Sequence, residues 1–258
     1  MDIHKPKPWR GWREFLKEYA IIVIGVLTAL GAEQVVENLH WSQRLAETRG
    51  QLREEVSNDV GSGLGWLALG PCIDRQLDAL EAAVWSGRST GTFTPPAQPY
   101  GPALFQFKSD AWLNARSLQV SDHLSPAETS SYSSVYFFST EMRENVVQLH
   151  QAAAALAPLR RALDHVTPAE ADEILSRIAQ ARELQSRMHE GAILMIWYAN
   201  RMNIPVKLTQ IREDLADLRR SHGGCMTDPG AIEDILRRPA DVTTAFRELG
   251  LSQPLLPG

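Results

Sequence analysis

Residues 20–32, AIIVIGVLTALGA, carry no charge, and that run constrains the whole chain. With Phe15, Leu16 and Tyr19 ahead of it and Val35 and Val36 behind, the apolar character extends over 15–36. Only Lys17, Glu18, Glu33 and Gln34, near its ends, interrupt it. A helix needs roughly 20 mostly apolar residues, at about 1.5 Å each, to cross a bilayer. Lys17 can snorkel, and Trp9, Trp12, Tyr19 and Trp41 stand where interfacial aromatics belong. The expectation is a transmembrane helix over 19–36. Lys5, Lys7, Arg10, Arg13 and Lys17 precede it, and the next Lys or Arg is Arg44. The positive-inside rule then puts 1–18 in the cytoplasm and 37–258 across the membrane. Two other readings stay open. A cleaved signal peptide would use Ala29-Leu30-Gly31 as a small-x-small site, although the helical pattern runs through it without a turn or proline. A run this short also suits a buried core helix, which explains the charge asymmetry less well.

Prolines divide the remainder. None lies between Trp9 and Gly70, between Ala127 and Ala157, or between Ala169 and Ile204, and proline breaks helix interiors. In the first window Val35, Val36, Leu39, Leu45, Leu52, Val56 and Val60 recur at helical spacing, so the anchor is expected to continue as a stalk over 37–70. Gly61, Gly63, Gly65 and Gly70 weaken helix propensity by up to about 1 kcal/mol each. The chain there either bends or packs closely on another helix. A separate helix is expected over 71–85, a loop over 88–108 with a short hairpin through Thr92-Phe93 and Phe105-Gln106-Phe107, and a short helix over 109–118.

Ser125-Pro126-Ala127-Glu128 and Thr167-Pro168-Ala169-Glu170 are capping boxes: hydroxyl at the N-cap, proline next, glutamate three residues on. Each opens a long apolar-periodic segment. Residues 191–199 are apolar all round and belong at the centre of a bundle, being too short for a second span. Residues 207–221 read as a charged amphipathic helix and 232–237 as a last short one, with a frayed tail. The fold class is all-α: an N-terminal transmembrane helix continuing into a stalk, then an antiparallel helical bundle.

Two stretches, WREFLKEYAIIVIGVLTALGAEQVVENLHW (12–41) and AWLNARSLQVSDHLSPAETSSYSSVY (111–136), resemble an uncharacterised bacterial family of membrane proteins. Its members carry one N-terminal anchor helix and an all-helical extracytoplasmic domain. The resemblance implies an inner-membrane anchor and a helical periplasmic domain, and it implies no activity.

Chemistry is sparse. Lys+Arg is 26 against Asp+Glu 31, a net charge of −5, which argues against a nucleic-acid partner. Gly87-Arg88-Ser89-Thr90-Gly91 matches G-x-S-x-G, but a nucleophile elbow needs a strand before it. Gly61-Ser62-Gly63-Leu64-Gly65 lacks the strand and lysine of a phosphate loop. His222 and Cys225 are two ligands short of a zinc site. Catalytic, cofactor and metal residues are therefore expected to be none. Cys72 and Cys225, the only cysteines, are expected to form a disulfide if the domain is periplasmic, the alternative being two unrelated buried thiols. Gly25 and Ala29 form a small-xxx-small pair through which another helix could approach. The functional expectation is a single-pass inner-membrane protein, not an enzyme, serving a membrane assembly. Its partners would be the lipid bilayer and a protein or second copy met through the membrane helix and stalk. Two alternatives stand: a periplasmic ligand-binding or sensory module acting through a partner, and a membrane-anchored enzyme whose site forms only in the fold.

Overall fold

A computed structural model describes residues 11–102, 105–228 and 231. The expected helix at 232–237 and the tail at 252–258 lie outside the described residues. Five α-helices and no strand occur among those described: α1 (Trp12–Thr90), α2 (Asp110–Ser117), α3 (Pro126–Leu156), α4 (Pro168–Arg201) and α5 (Leu208–His222). The chain divides into two compact units, 1–49 and 50–258.

In the first unit the helix turns its apolar side chains outward. Ile21, Ile22, Ile24, Leu27, Leu30, Val35 and Val36 are each more than half exposed. The Thr28 hydroxyl donates to the Ile24 carbonyl at 2.7 Å, so even this polar group is satisfied on its own helix.

The second unit has a different character from its first residues. Leu52, Val56 and Val60 are fully buried, so the expected stalk does not reach residue 70. Nor does a new helix begin at Pro71, which lies inside α1. Residues 63–70 are buried without exception. Burying Leu64, Trp66, Leu67 and Leu69 contributes about 1.5–3 kcal/mol each, more than the roughly 1 kcal/mol lost at each glycine. The helix therefore survives its own weak stretch.

Contacts fix the helix directions. Ser139 meets Met195, Gly191 meets Met142, and Arg177 reaches the Ala155 carbonyl, so α3 and α4 are antiparallel. Gly63 meets Met195, Arg182 bonds Asp78 (2.6 Å) and Glu81 (2.7 Å), and Arg88 bonds Asp172 (3.0 Å), so α1 and α4 are antiparallel too. Lys207 faces Glu54, Ile211 faces Gly61, and the Thr227 N–H donates to the Ala68 carbonyl, so α5 runs beside α1 in the same direction. Helix α4 is the shared neighbour, which explains why 191–196 is buried on every side. Both capping boxes form as expected: Ser125 and Thr167 accept from Glu128 N and Glu170 N, and each glutamate carboxylate returns the bond to the cap.

The expected hairpin does not form. Phe93 instead pairs with Leu163 in an antiparallel bridge (2.9 and 3.0 Å), and Val166 N donates to the Gly91 carbonyl. The loop after α1 is thus tied to the α3–α4 connection, because burying Phe93 requires its backbone to be satisfied there.

Glycine matters most where α1 meets its neighbours. A Cβ at Gly70 would lie 2.1 Å from His189 Nε2, and one at Gly65 would lie 2.4 Å from Phe105 Cε1. Burial holds the His189 imidazole down to about 4, so a neutral ring packs against the bare Gly70 backbone. At Gly61 the nearest atom is Ile211 Cγ1 at 3.5 Å, an ordinary contact. Gly70→Ala should therefore lower stability by about 1–3 kcal/mol despite its better helix propensity, whereas Gly61→Ala should be neutral or stabilising by about 1 kcal/mol. Thermal unfolding of the full chain in detergent, read by helical circular dichroism, checks both. The Gly70 penalty should vanish in a His189→Ala background.

Candidate functional site

Two features of the chain bear on function. The first is the apolar stretch of α1, whose best window for crossing a membrane has a mean hydropathy of 1.9 with none of it buried. By length and composition it is the one such helix among the described residues. Gly25 lies on it with open space around its Cα, and no neighbour within 4 Å of an added Cβ. Ala29 lies one turn further, also exposed.

The second feature is a polar cluster inside the 50–258 unit, formed where α1, the 105–109 segment and α3 meet. Asp59 sits on the stripe that carries Val56 and Val60 and is 1% exposed. Its Oδ1 accepts the Lys108 N–H at 2.9 Å, while Oδ2 makes no hydrogen bond. Burial drives this carboxyl up to about 7, outweighing the relief from the Lys108 N–H and from the Ser139 hydroxyl nearby; the charge of Glu55 adds to the rise. One turn earlier, Glu55 accepts the Ala111 N–H at 3.0 and 3.2 Å. It thereby supplies the cap that Ser109 does not give α2. The Tyr136 hydroxyl donates to the Leu52 carbonyl at 3.4 Å, and burial together with the Glu55 charge holds its proton tightly. Trp112 stacks on Tyr136 at 5.7 Å and on Tyr132 at 6.2 Å, closing the cluster from the α2 side. Two acids thus strap the segment 108–111 onto α1, one of them in a setting that favours its protonated form.

Of the residues singled out from sequence, Cys72 and Cys225 are brought together. Their sulfurs are at bonding distance and their Cα atoms 5.0 Å apart. Closing a loop of 153 residues contributes about 5 kcal/mol by chain entropy. Residues 87–90 lie in the last turn of α1, with the Ser89 hydroxyl turned back to the Ser86 carbonyl, so the G-x-S-x-G match has no elbow geometry. Gly91, at φ +79°, closes that helix end, its N–H donating to the Gly87 carbonyl. Among the described residues no group of three or more His, Cys, Asp and Glu side chains could hold a metal ion. Glu55, Asp59 and Tyr136 were not anticipated. The signal for Asp59 was present, as an acid one residue before Val60 and three after Val56 on an apolar stripe.

The Asp59 shift fixes a pH dependence. The folded chain keeps this proton up to about pH 7, while the unfolded chain releases it near its ordinary value of 3.8. Stability from this group is full below the lower value, falls as pH rises between the two, and stays low above the upper one, a change of up to about 4 kcal/mol. Asp59→Asn keeps the Lys108 acceptor and removes the titration. It should stabilise the chain at about pH 8 and make little difference at about pH 4, so the wild-type and variant melting curves converge on acidification. A constant difference across that range would show that Asp59 does not titrate in the fold.

No family model, curated protein or solved structure matches this chain.

Proposed function

We propose that the chain is a single-pass inner-membrane protein, N-terminus cytoplasmic, whose helical domain acts in the periplasm as a non-enzymatic interaction or accessory subunit of a membrane assembly. The carrying observation is the outward-facing apolar segment. Nine aliphatic side chains, Ile21, Ile22, Ile24, Val26, Leu27, Leu30, Val35, Val36 and Leu39, are over half exposed along it. Leaving such a surface in water forgoes about 1.5–3 kcal/mol per large side chain, so a bilayer or another apolar surface has to cover it. The asymmetry of basic residues supports the direction of crossing, since five precede the segment. The cysteine pair supports it independently, because a disulfide persists in an oxidising compartment. The open surface at Gly25 and Ala29 would suit a partner helix. No nucleic acid enters this reading.

Alkaline carbonate extraction of native membranes, with thiol labelling of intact spheroplasts before and after reduction, checks anchor and topology. The protein should stay in the pellet, and Cys72 and Cys225 should label from outside only after reduction. Release into the supernatant, or free thiols labelled only after lysis, would sink the proposal. Cross-linking on the tagged protein purified in mild detergent then tests the accessory role. A stoichiometric partner joined through residues 12–49 is the expected result, and a lone monomer would refute it.

A further inference from the structure

Helix α5 and residues 57–65 of α1 enclose a cavity of about 490 Å³, within the range that small-molecule sites occupy. Along α1 its lining includes Gly61 and Gly65, which add no side chains of their own and lie beneath Ile211 and Phe105. Phe105 forms one wall, set against Gly65 and edge-on to Trp66 at 5.9 Å. Ile211, Leu215 and Leu218 of α5 form the other. This volume is not a packing defect with only apolar surroundings. Ser57, 5% exposed, lines it, and its hydroxyl has no hydrogen-bond partner within the protein.

The charges around the cavity do not balance. Lys207 is engaged by Glu54 at 3.5 Å, and Asp217 is paired with Arg220. Asp214 accepts only the Gln210 side-chain amide, at 3.1 Å, and makes no ion pair among the described residues. An anion entering here would meet Asp214 with the neighbouring base already engaged. A neutral apolar molecule would leave Asp214 as it is. An ammonium group on an apolar body satisfies both the walls and the carboxylate.

We propose that the cavity between α5 and residues 57–65 is a binding site for an amphipathic organic cation, its apolar body held between Phe105 and α5 and its amine at Asp214. The site does not depend on the membrane proposal, since every residue of it lies in the 50–258 unit.

The full chain in lipid nanodiscs, photolysed with a diazirine-bearing analogue of decylamine, provides the test. Peptide mass spectrometry should place adducts within 57–65 and 207–218. Excess decylamine should suppress them, and decanoate or decanol should not. Asp214→Asn alters an exposed side chain and should cut the adduct yield about fivefold, the size of one exposed charge pair. Gly61→Leu fills the α1 side of the cavity and should abolish the adducts. If that variant does not fold, the exposed Asp214 variant still decides. Adducts confined to 12–36, equal competition by decanol or decanoate, or an unchanged yield in Asp214→Asn would each overturn the proposal.

Discussion

Close approach at the glycines of α1 is the constraint on which the helical domain depends. Residues 61, 63, 65 and 70 each receive a different neighbour: Ile211 of α5, Met195 and Ala192 of α4, Phe105 of the connecting segment, and His189 of α4. At 65 and 70 only a backbone without Cβ admits the neighbouring ring, whereas at 61 the contact is an ordinary one. The burial this gives to Trp66, Leu67 and Leu69 outweighs what the glycines cost in helix propensity. The same stretch therefore sets both the position of α4 and the continuity of α1.

Pro71 follows at once and removes an N–H that the Leu67 carbonyl would have used. The backbone there takes outside partners. Thr227 donates to the Ala68 carbonyl at 2.9 Å, and Cys72 is joined to Cys225. These two links hold the segment after α5 to α1, and the Lys207–Glu54 pair holds the segment before it. Between the links Ile211 and Leu215 of α5 are buried, and Ile211 lies beside Gly61. The cavity lies between these links, over an α1 surface that includes Ser57, Gly61, Ser62 and Gly65.

The parts of this fold legible in the sequence are those governed by local rules. The two capping boxes announce α3 and α4 because hydroxyl, proline and glutamate satisfy the same orphan N–H groups in any setting. The apolar run at 191–199 shows its central place because nothing polar is available to face water. Misreadings arose where tertiary packing overrode local preference. Pro71 argued for a new helix where the burial of 63–70 keeps α1 continuous, and of the two readings of the glycines, a bend or close packing on another helix, the packing holds. Phe93 looked ready to pair with a residue close in sequence, yet its partner is Leu163. The candidate site was half legible. Cysteine count, with the expected oxidising compartment, pointed to Cys72 and Cys225, whereas the Asp59 cluster depends on Lys108, Tyr136 and Ser139 arriving from distant segments, which no spacing reveals.

The two units meet their apolar demands in opposite ways. From Gly50 on, the large apolar side chains mostly find partners within the chain. The exceptions, such as Trp85, Leu113, Leu118, Phe137 and Val147, are scattered over α1, α2 with its C-cap, and α3. Single exposed hydrophobics of that kind are ordinary. From Trp12 to Leu39 the exposed apolar side chains follow one another along the helix, and nothing described in that unit covers them. That uncovered apolar helix is the observation behind the proposed dependence on a bilayer or a partner. The interior offers a different kind of dependence, a carboxyl at Asp59 whose proton is retained to about neutral pH and which helps to fasten the segment next to α2. Exposed apolar surface is thus concentrated on the outside of the first unit, and a carboxyl raised by burial sits inside the second.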